Sequence, residues 1–151
     1  MDKANLKLAK FLPYCLSVLS NEISHNISVY YQERFEIDMS QWRVMAILGE
    51  DECLSAAEVA KRTAMDKVAV SRAVKKLLAK KMLEREFAED DKRRSILKLS
   101  QQGLVIYNEI VPMAKDYESR LVAQLSTEEL ELLNQLISKL REANQELSLT
   151  S

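Results

Sequence analysis

Two helix starts lie eleven positions apart, at Ser55 and Asp66, and that spacing constrains the chain more than any other feature. Ser55-Ala56-Ala57-Glu58 matches a capping box: the Ser55 hydroxyl can accept from the Glu58 backbone N–H while the Glu58 carboxylate reaches back to the Ser55 N–H. Asp66 offers a second N-cap carboxylate. Between them there is room for a short helix, roughly 56–62, and the connection Arg62-Thr63-Ala64-Met65. The helix after Asp66 is predicted to run to about Lys80, and two short helices joined by a four-residue turn form a helix-turn-helix.

The second of these helices has two chemistries. Val70, Ala73, Val74 and Leu77 recur at helical spacing and form its buried stripe, which leaves Lys67, Ser71, Arg72, Lys75 and Lys76 facing outward. The charge of the whole chain follows the same division. Residues 1–60 carry 5 basic and 9 acidic side chains, 61–98 carry 13 and 6, and 99–151 carry 4 and 8. A chain of net charge -1 thus gathers a balance of +7 into one central segment, the footprint of a protein that meets a polyanion.

Downstream, Met82-Leu83-Glu84-Arg85-Glu86-Phe87 and Ser95-Ile96-Leu97-Lys98-Leu99 show rough alternation on either side of a polar stretch, Ala88 to Arg94. The reading is a β-hairpin with a charged tip, Asp90-Asp91-Lys92-Arg93-Arg94-Ser95, that is, the wing of a winged helix.

Only two Gly and two Pro occur in 151 residues, which favours long helices over turn-rich β folds. Leu12, Leu16, Leu19, Ile23, Ile27 and Tyr30 trace one amphipathic helix ending near Glu33, with Pro13 at its start or kinking it. Ser40 is read as the cap of a helix that ends at Gly49. Ser100 begins a helix to about Gln124 that Pro112 should bend. Ser126-Thr127-Glu128-Glu129 is a second capping box, and it opens a helix with Leu133, Leu136, Leu140, Ala143 and Leu147 in a coiled-coil-like seam. The fold class is therefore mainly α: a winged helix-turn-helix over 37–103, flanked by helical dimerisation regions at 1–36 and 104–151.

Several functions are set aside. One His, two Gly, no phosphate-cradling loop and no nucleophile with a recognisable base leave little for catalysis, so no enzyme activity and no cofactor are expected. Glu89-Asp90-Asp91 resembles a metal cluster only until Lys92, Arg93 and Arg94 are counted as its partners; no metal site is expected, and the lone His25 is read as a packing or surface residue. Cys15 and Cys53 form no C-x-x-C, so both are read as buried thiols rather than as a disulfide or zinc framework. Without a leader-like start or a run of about 18 apolar residues, a cytoplasmic location and no membrane partner are expected.

Over nearly its full length the chain resembles the MarR (multiple antibiotic resistance regulator) family of winged-helix transcription factors. The resemblance is carried by Gln41-Trp42-Arg43-Val44-Met45, Leu54-Ser55-x-x-Glu58-Val59-Ala60, Met65-Asp66-Lys67-x-x-Val70-Ser71-Arg72-x-Val74-x-x-Leu77, Asp91-Lys92-Arg93 and Leu97-x-Leu99-Ser100-x-x-Gly103. It implies a homodimer on a pseudo-palindromic double-stranded operator, with the Asp66–Lys80 helix in the major groove and the wing tip in the flanking minor groove. Ser71 then suits a phosphate, and Arg72 a base edge or a phosphate. Arg93 matches the family's minor-groove arginine, with Asp91 holding its guanidinium in position. Lys92, Lys75 and Lys76 act through charge, and Arg94 is either a phosphate contact or a solvated neighbour. The family's usual mode is repression by promoter occlusion, released by a small, often aromatic or anionic effector whose pocket residues the sequence does not name. Two alternatives stay open: a thiol-based redox sensor of the same fold using Cys15, and a winged helix that contacts protein or RNA.

Overall fold

In the computed structural model residues 1–50, 53–87 and 95–150 are described, Leu149 and Thr150 by their backbone alone. The described residues form six α-helices and one two-stranded sheet: α1 (Leu12–Phe35), α2 (Met39–Glu50), α3 (Ala56–Thr63), α4 (Lys67–Ala79), β1 (Leu83–Phe87), β2 (Ser95–Leu99), α5 (Gln101–Val122) and α6 (Thr127–Thr150), with a 3-10 turn at Leu8–Lys10. The chain divides into two compact units, Met1–Pro112 and Met113–Ser151.

Local chemistry sets most of these boundaries. Pro13 falls in the first turn of α1, where its missing N–H costs nothing, and α1 closes on Glu36 in the left-handed conformation, φ 55°. The start of α2 departs from expectation. Asp38, not Ser40, supplies the cap: its Oδ1 accepts from the Gln41 backbone N–H at 2.8 Å. Ser40 lies within the first turn, and the carboxylate two residues earlier has the reach that a cap requires. Both capping boxes form. Ser55 Oγ accepts from the Glu58 N–H at 3.2 Å and Glu58 Oε1 from the Ser55 N–H at 3.1 Å; the Ser126 and Glu129 pair does the same at 3.1 and 2.9 Å.

The core of the first unit is the meeting of α2, α4 and the hairpin. Val44 and Met45 of α2, Val59 of α3, Val70, Val74 and Leu77 of α4 and Leu97 of β2 are essentially without solvent contact. β1 and β2 pair antiparallel with Leu83 opposite Leu99 and Phe87 opposite Ser95. Leu54 adds a further bridge to Leu97, so the segment entering α3 acts as a third, one-residue strand of the wing. Cys53, read from sequence as buried, is exposed: Leu54 takes the inward position of this extended segment and turns its neighbour outward.

Both glycines are places of close approach. Gly49 does not end α2 but lies inside it, under the Tyr107 ring, where a Cβ would overlap the aromatic carbons. Gly103, in the first turn of α5, sits against the Met82 carbonyl, on which a Cβ would fall. The same corner is tied by Ser100: its hydroxyl donates to the Lys81 carbonyl at 2.7 Å and accepts from the Gly103 N–H at 3.0 Å, while its own N–H donates to the Met82 carbonyl. α5 runs through Pro112 as one helix.

Candidate nucleic-acid interface

The candidate site is the outward side of α4 with its surroundings. The Asp66 carboxylate accepts from the Ala69 N–H at 2.8 Å and fixes the first turn. This adds a stabilised helix N-terminus, with its partial positive charge, to the cations beside it. Val70, Ala73, Val74 and Leu77 are all buried, as their spacing predicts, and each residue assigned to the outward face is exposed: Lys67, Ser71, Arg72, Lys75 and Lys76. Lys80, one turn further on, is committed elsewhere. Its ammonium donates to the Glu36 carbonyl at the end of α1 and to Gln41 Oε1, tying the end of α4 to the α1–α2 joint.

Beside α4 runs a groove of about 210 Å³ between α3 and β1, lined by small side chains of α3, by Lys67 and Ser71, and by Arg85. Arg85 is a cation that the sequence reading left out of the site. It stands opposite Leu97 in the hairpin register, on the face that packs toward α3 and α4, so the strand alternation already contained the signal. The opposite face carries Glu84, Glu86 and Lys98. The Lys98 ammonium lies 2.8 Å from Glu86 and 3.7 Å from Glu84, and the hydrogen bond to Glu86 raises its pKa above the ordinary lysine value. The wing-tip residues Asp91, Lys92, Arg93 and Arg94 lie outside the described residues.

A second concavity, of about 130 Å³, opens between α1 and α2 and is lined by Ser24, Ile27, Tyr31, Met39, Trp42 and Arg43. Trp42 is packed between two tyrosines, its ring centroid 5.9 Å from both Tyr31 and Tyr107. Burial pushes the Tyr31 phenol from its ordinary value of 10.0 up to about 12, against the opposing pull of the Arg43 guanidinium. Arg43 also donates to the Ser24 hydroxyl at 3.3 Å. Cys15 is half-buried near the start of α1, and its Sγ contacts the carbonyl oxygens of Ala9 at 3.3 Å and Leu8 at 3.7 Å. Among the described residues no group of three or more His, Cys, Asp or Glu side chains is arranged to hold a metal ion, and no helix is long and apolar enough to cross a membrane.

This architecture has known counterparts. The family model of the MarR family matches residues 36–94, the segment from the end of α1 to the residue before β2. Over 108 residues the chain is 28% identical to the HTH-type transcriptional regulator TcaR of Staphylococcus aureus, covering 70% of this chain and 71% of that protein. A MarR/EmrR family transcriptional regulator from Acinetobacter sp. ADP1 superposes with a TM-score of 0.86 at 28% identity, over 93% of this chain and 99% of the other. A MarR variant from E. coli, solved with operator DNA, shares the fold with a TM-score of 0.77 at 22% identity, over 91% of this chain and 99% of that one. With a winged helix-turn-helix whose second helix is apolar inside and cationic outside, the chain is similar in sequence and fold to transcriptional regulators of the MarR family.

Proposed function

We propose that this protein is a homodimeric, sequence-specific DNA-binding repressor that a small-molecule effector releases from its operator. The observation that carries the reading is α4 itself: a buried apolar stripe fixes the helix on the domain, and the exposed Lys67, Ser71, Arg72, Lys75 and Lys76 share the other side. In a major groove, Ser71 and the lysines would hold phosphates, and Arg72 would read a base edge or add to that grip. Arg85 joins them as a further phosphate contact. Asp91, Lys92, Arg93 and Arg94 extend the interface into the minor groove on the strength of the sequence alone.

Dimerisation is supported by what the single chain leaves uncovered. Leu12, Leu16 and Leu19 of α1 are 47–55% exposed, and Leu133, Leu136 and Leu140 of α6 are 42–46% exposed. Stripes of this length on the segments 1–36 and 104–151 suit a second copy of the chain. Two-fold symmetry then sets the recognition helices about 34 Å apart, one turn of DNA, and makes the operator a pseudo-palindrome. The Tyr31, Trp42 and Arg43 concavity, aromatic walls beside one cation, suits a small aromatic anion as effector. The protein acts by binding rather than by catalysis, in the cytoplasm.

The test is retention of labelled duplex fragments from the native genome by the purified protein, with unlabelled duplex and structured RNA as competitors, and the mass of the bound species. Duplex-specific retention by a species of twice 17.3 kDa is expected. Competition by RNA alone, or a monomer at the operator, would refute the reading.

A further inference from the structure

Val68 is the one large apolar side chain exposed between Tyr30 and Glu86 among the described residues, at 59%. It occupies the second position of α4, in the turn that the Asp66 carboxylate fixes through the Ala69 N–H. At 3.6 residues per turn, Val68 and Lys75 lie on one meridian, diametrically opposite the middle of the buried stripe. Ser71 and Lys67 fall to one side of that line, and Arg72 and Lys76 to the other. The polar and cationic residues thus flank a centre line whose first member is a valine.

That placement runs against local preference. A β-branched side chain in an exposed helical position is less favourable than alanine, and exposed valine gains nothing from burial in this chain. Its position is nonetheless where an inserted helix comes nearest the floor of a groove, since the N-terminal residues of a recognition helix meet the base edges. An isopropyl group neither donates nor accepts a hydrogen bond. On the major-groove edge of DNA the one apolar feature it can meet is the thymine C5-methyl group.

Building on the DNA-binding reading above, we propose that Val68 is a specificity-determining residue, which selects thymine in each half-site by covering its 5-methyl group. The lysines and Ser71 hold the helix in the groove; Val68 then excludes water from the methyl, and a cytosine at that position would present its polar amino edge to an apolar surface.

The test begins with an operator selected from random duplexes by the full-length protein. Each thymine of that operator is then replaced singly by deoxyuridine, which removes the methyl and keeps the base pair, and affinity is measured for the wild type, Val68→Thr and Val68→Ser. One thymine per half-site should prove sensitive, its replacement weakening wild-type binding about three- to tenfold, the scale of losing one buried methyl. Val68→Thr, which keeps one methyl, should retain part of that sensitivity. Val68→Ser should lose affinity for the thymine operator and show no further loss with deoxyuridine, while its thermal unfolding stays that of the wild type. The proposal is overturned if no deoxyuridine weakens the wild type, or if Val68→Ser remains as sensitive as the wild type. A selection that recovers no preferred duplex would instead overturn the DNA-binding reading beneath it.

Discussion

Leu54 and Leu97 exchange a pair of backbone hydrogen bonds, Leu97 N–H to Leu54 O at 2.7 Å and Leu54 N–H to Leu97 O at 3.2 Å. The residue that leads into α3 is therefore locked to the strand that returns from the wing, and helix-turn-helix and hairpin share one register. Leu97 is also fully buried. Leu97→Ala is expected to cost about 2–5 kcal/mol, read by denaturant unfolding as one cooperative transition. Separate transitions for helices and wing would show that the bridge does not couple them.

Gly103→Ala offers a sign test. In an open helix the change stabilises by roughly 0.5–1 kcal/mol. Here the added methyl meets the Met82 carbonyl, backbone that also accepts from the Ser100 N–H. A net loss of about 1–3 kcal/mol is expected, and a raised melting temperature would contradict the packing described for this corner.

For the outward face of α4, Arg72→Ala should weaken specific binding by about 1–3 kcal/mol and relax preference at one position per half-site. Equal loss on every sequence would assign Arg72 to phosphate. Lys75→Gln should instead weaken all duplexes alike and make log K less steep in log salt by about 0.9.

The Tyr31 phenol gives the fold an alkaline limit. Because burial raises its folded pKa from 10.0 to about 12, the stability from burying the neutral ring is whole below pH 10.0 and drains away as pH climbs toward about 12. Tyr31→Phe should flatten that decline in chemical unfolding measured across the interval. An unchanged slope would show that other groups carry it.

Peroxide should leave the protein on its operator. The polar contacts of Cys15 Sγ are main-chain oxygens rather than cations, and Cys15→Ser should not alter DNA binding with or without hydroperoxide. Release of the wild type at micromolar hydroperoxide, abolished by Cys15→Ser, would make the thiol the sensor.

What the sequence made legible is largely what lies within four residues of itself. The Ser55 and Ser126 boxes, the Asp66 cap and the split faces of α4 are contacts at i+3 and i+4, and all of them formed. Hairpin pairing followed from alternation on either side of the polar tip. What stayed hidden depends on distant partners. Gly49 reads as a helix stop until Tyr107, far along the chain, is placed over it. Asp38 and Ser40 are both competent caps, and geometry at Gln41 selects the former. Arg85 reads as one more charge on a strand until its register partner Leu97 shows which way it faces.

The pairing of Lys98 with Glu86 and Glu84 alters how the charge of the central segment should be counted. A cation that arrives at DNA in the company of solvent ions lets the duplex shed its own condensed counterions, and mixing entropy drives that exchange. Lys98 has already traded its counterions for two carboxylates of its own hairpin. It therefore adds less to that exchange than an unpaired lysine, and it partly screens two anions that would otherwise repel the phosphates from the wing stem. Titrating basic residues by number would overstate how many sodium ions leave when the operator is occupied.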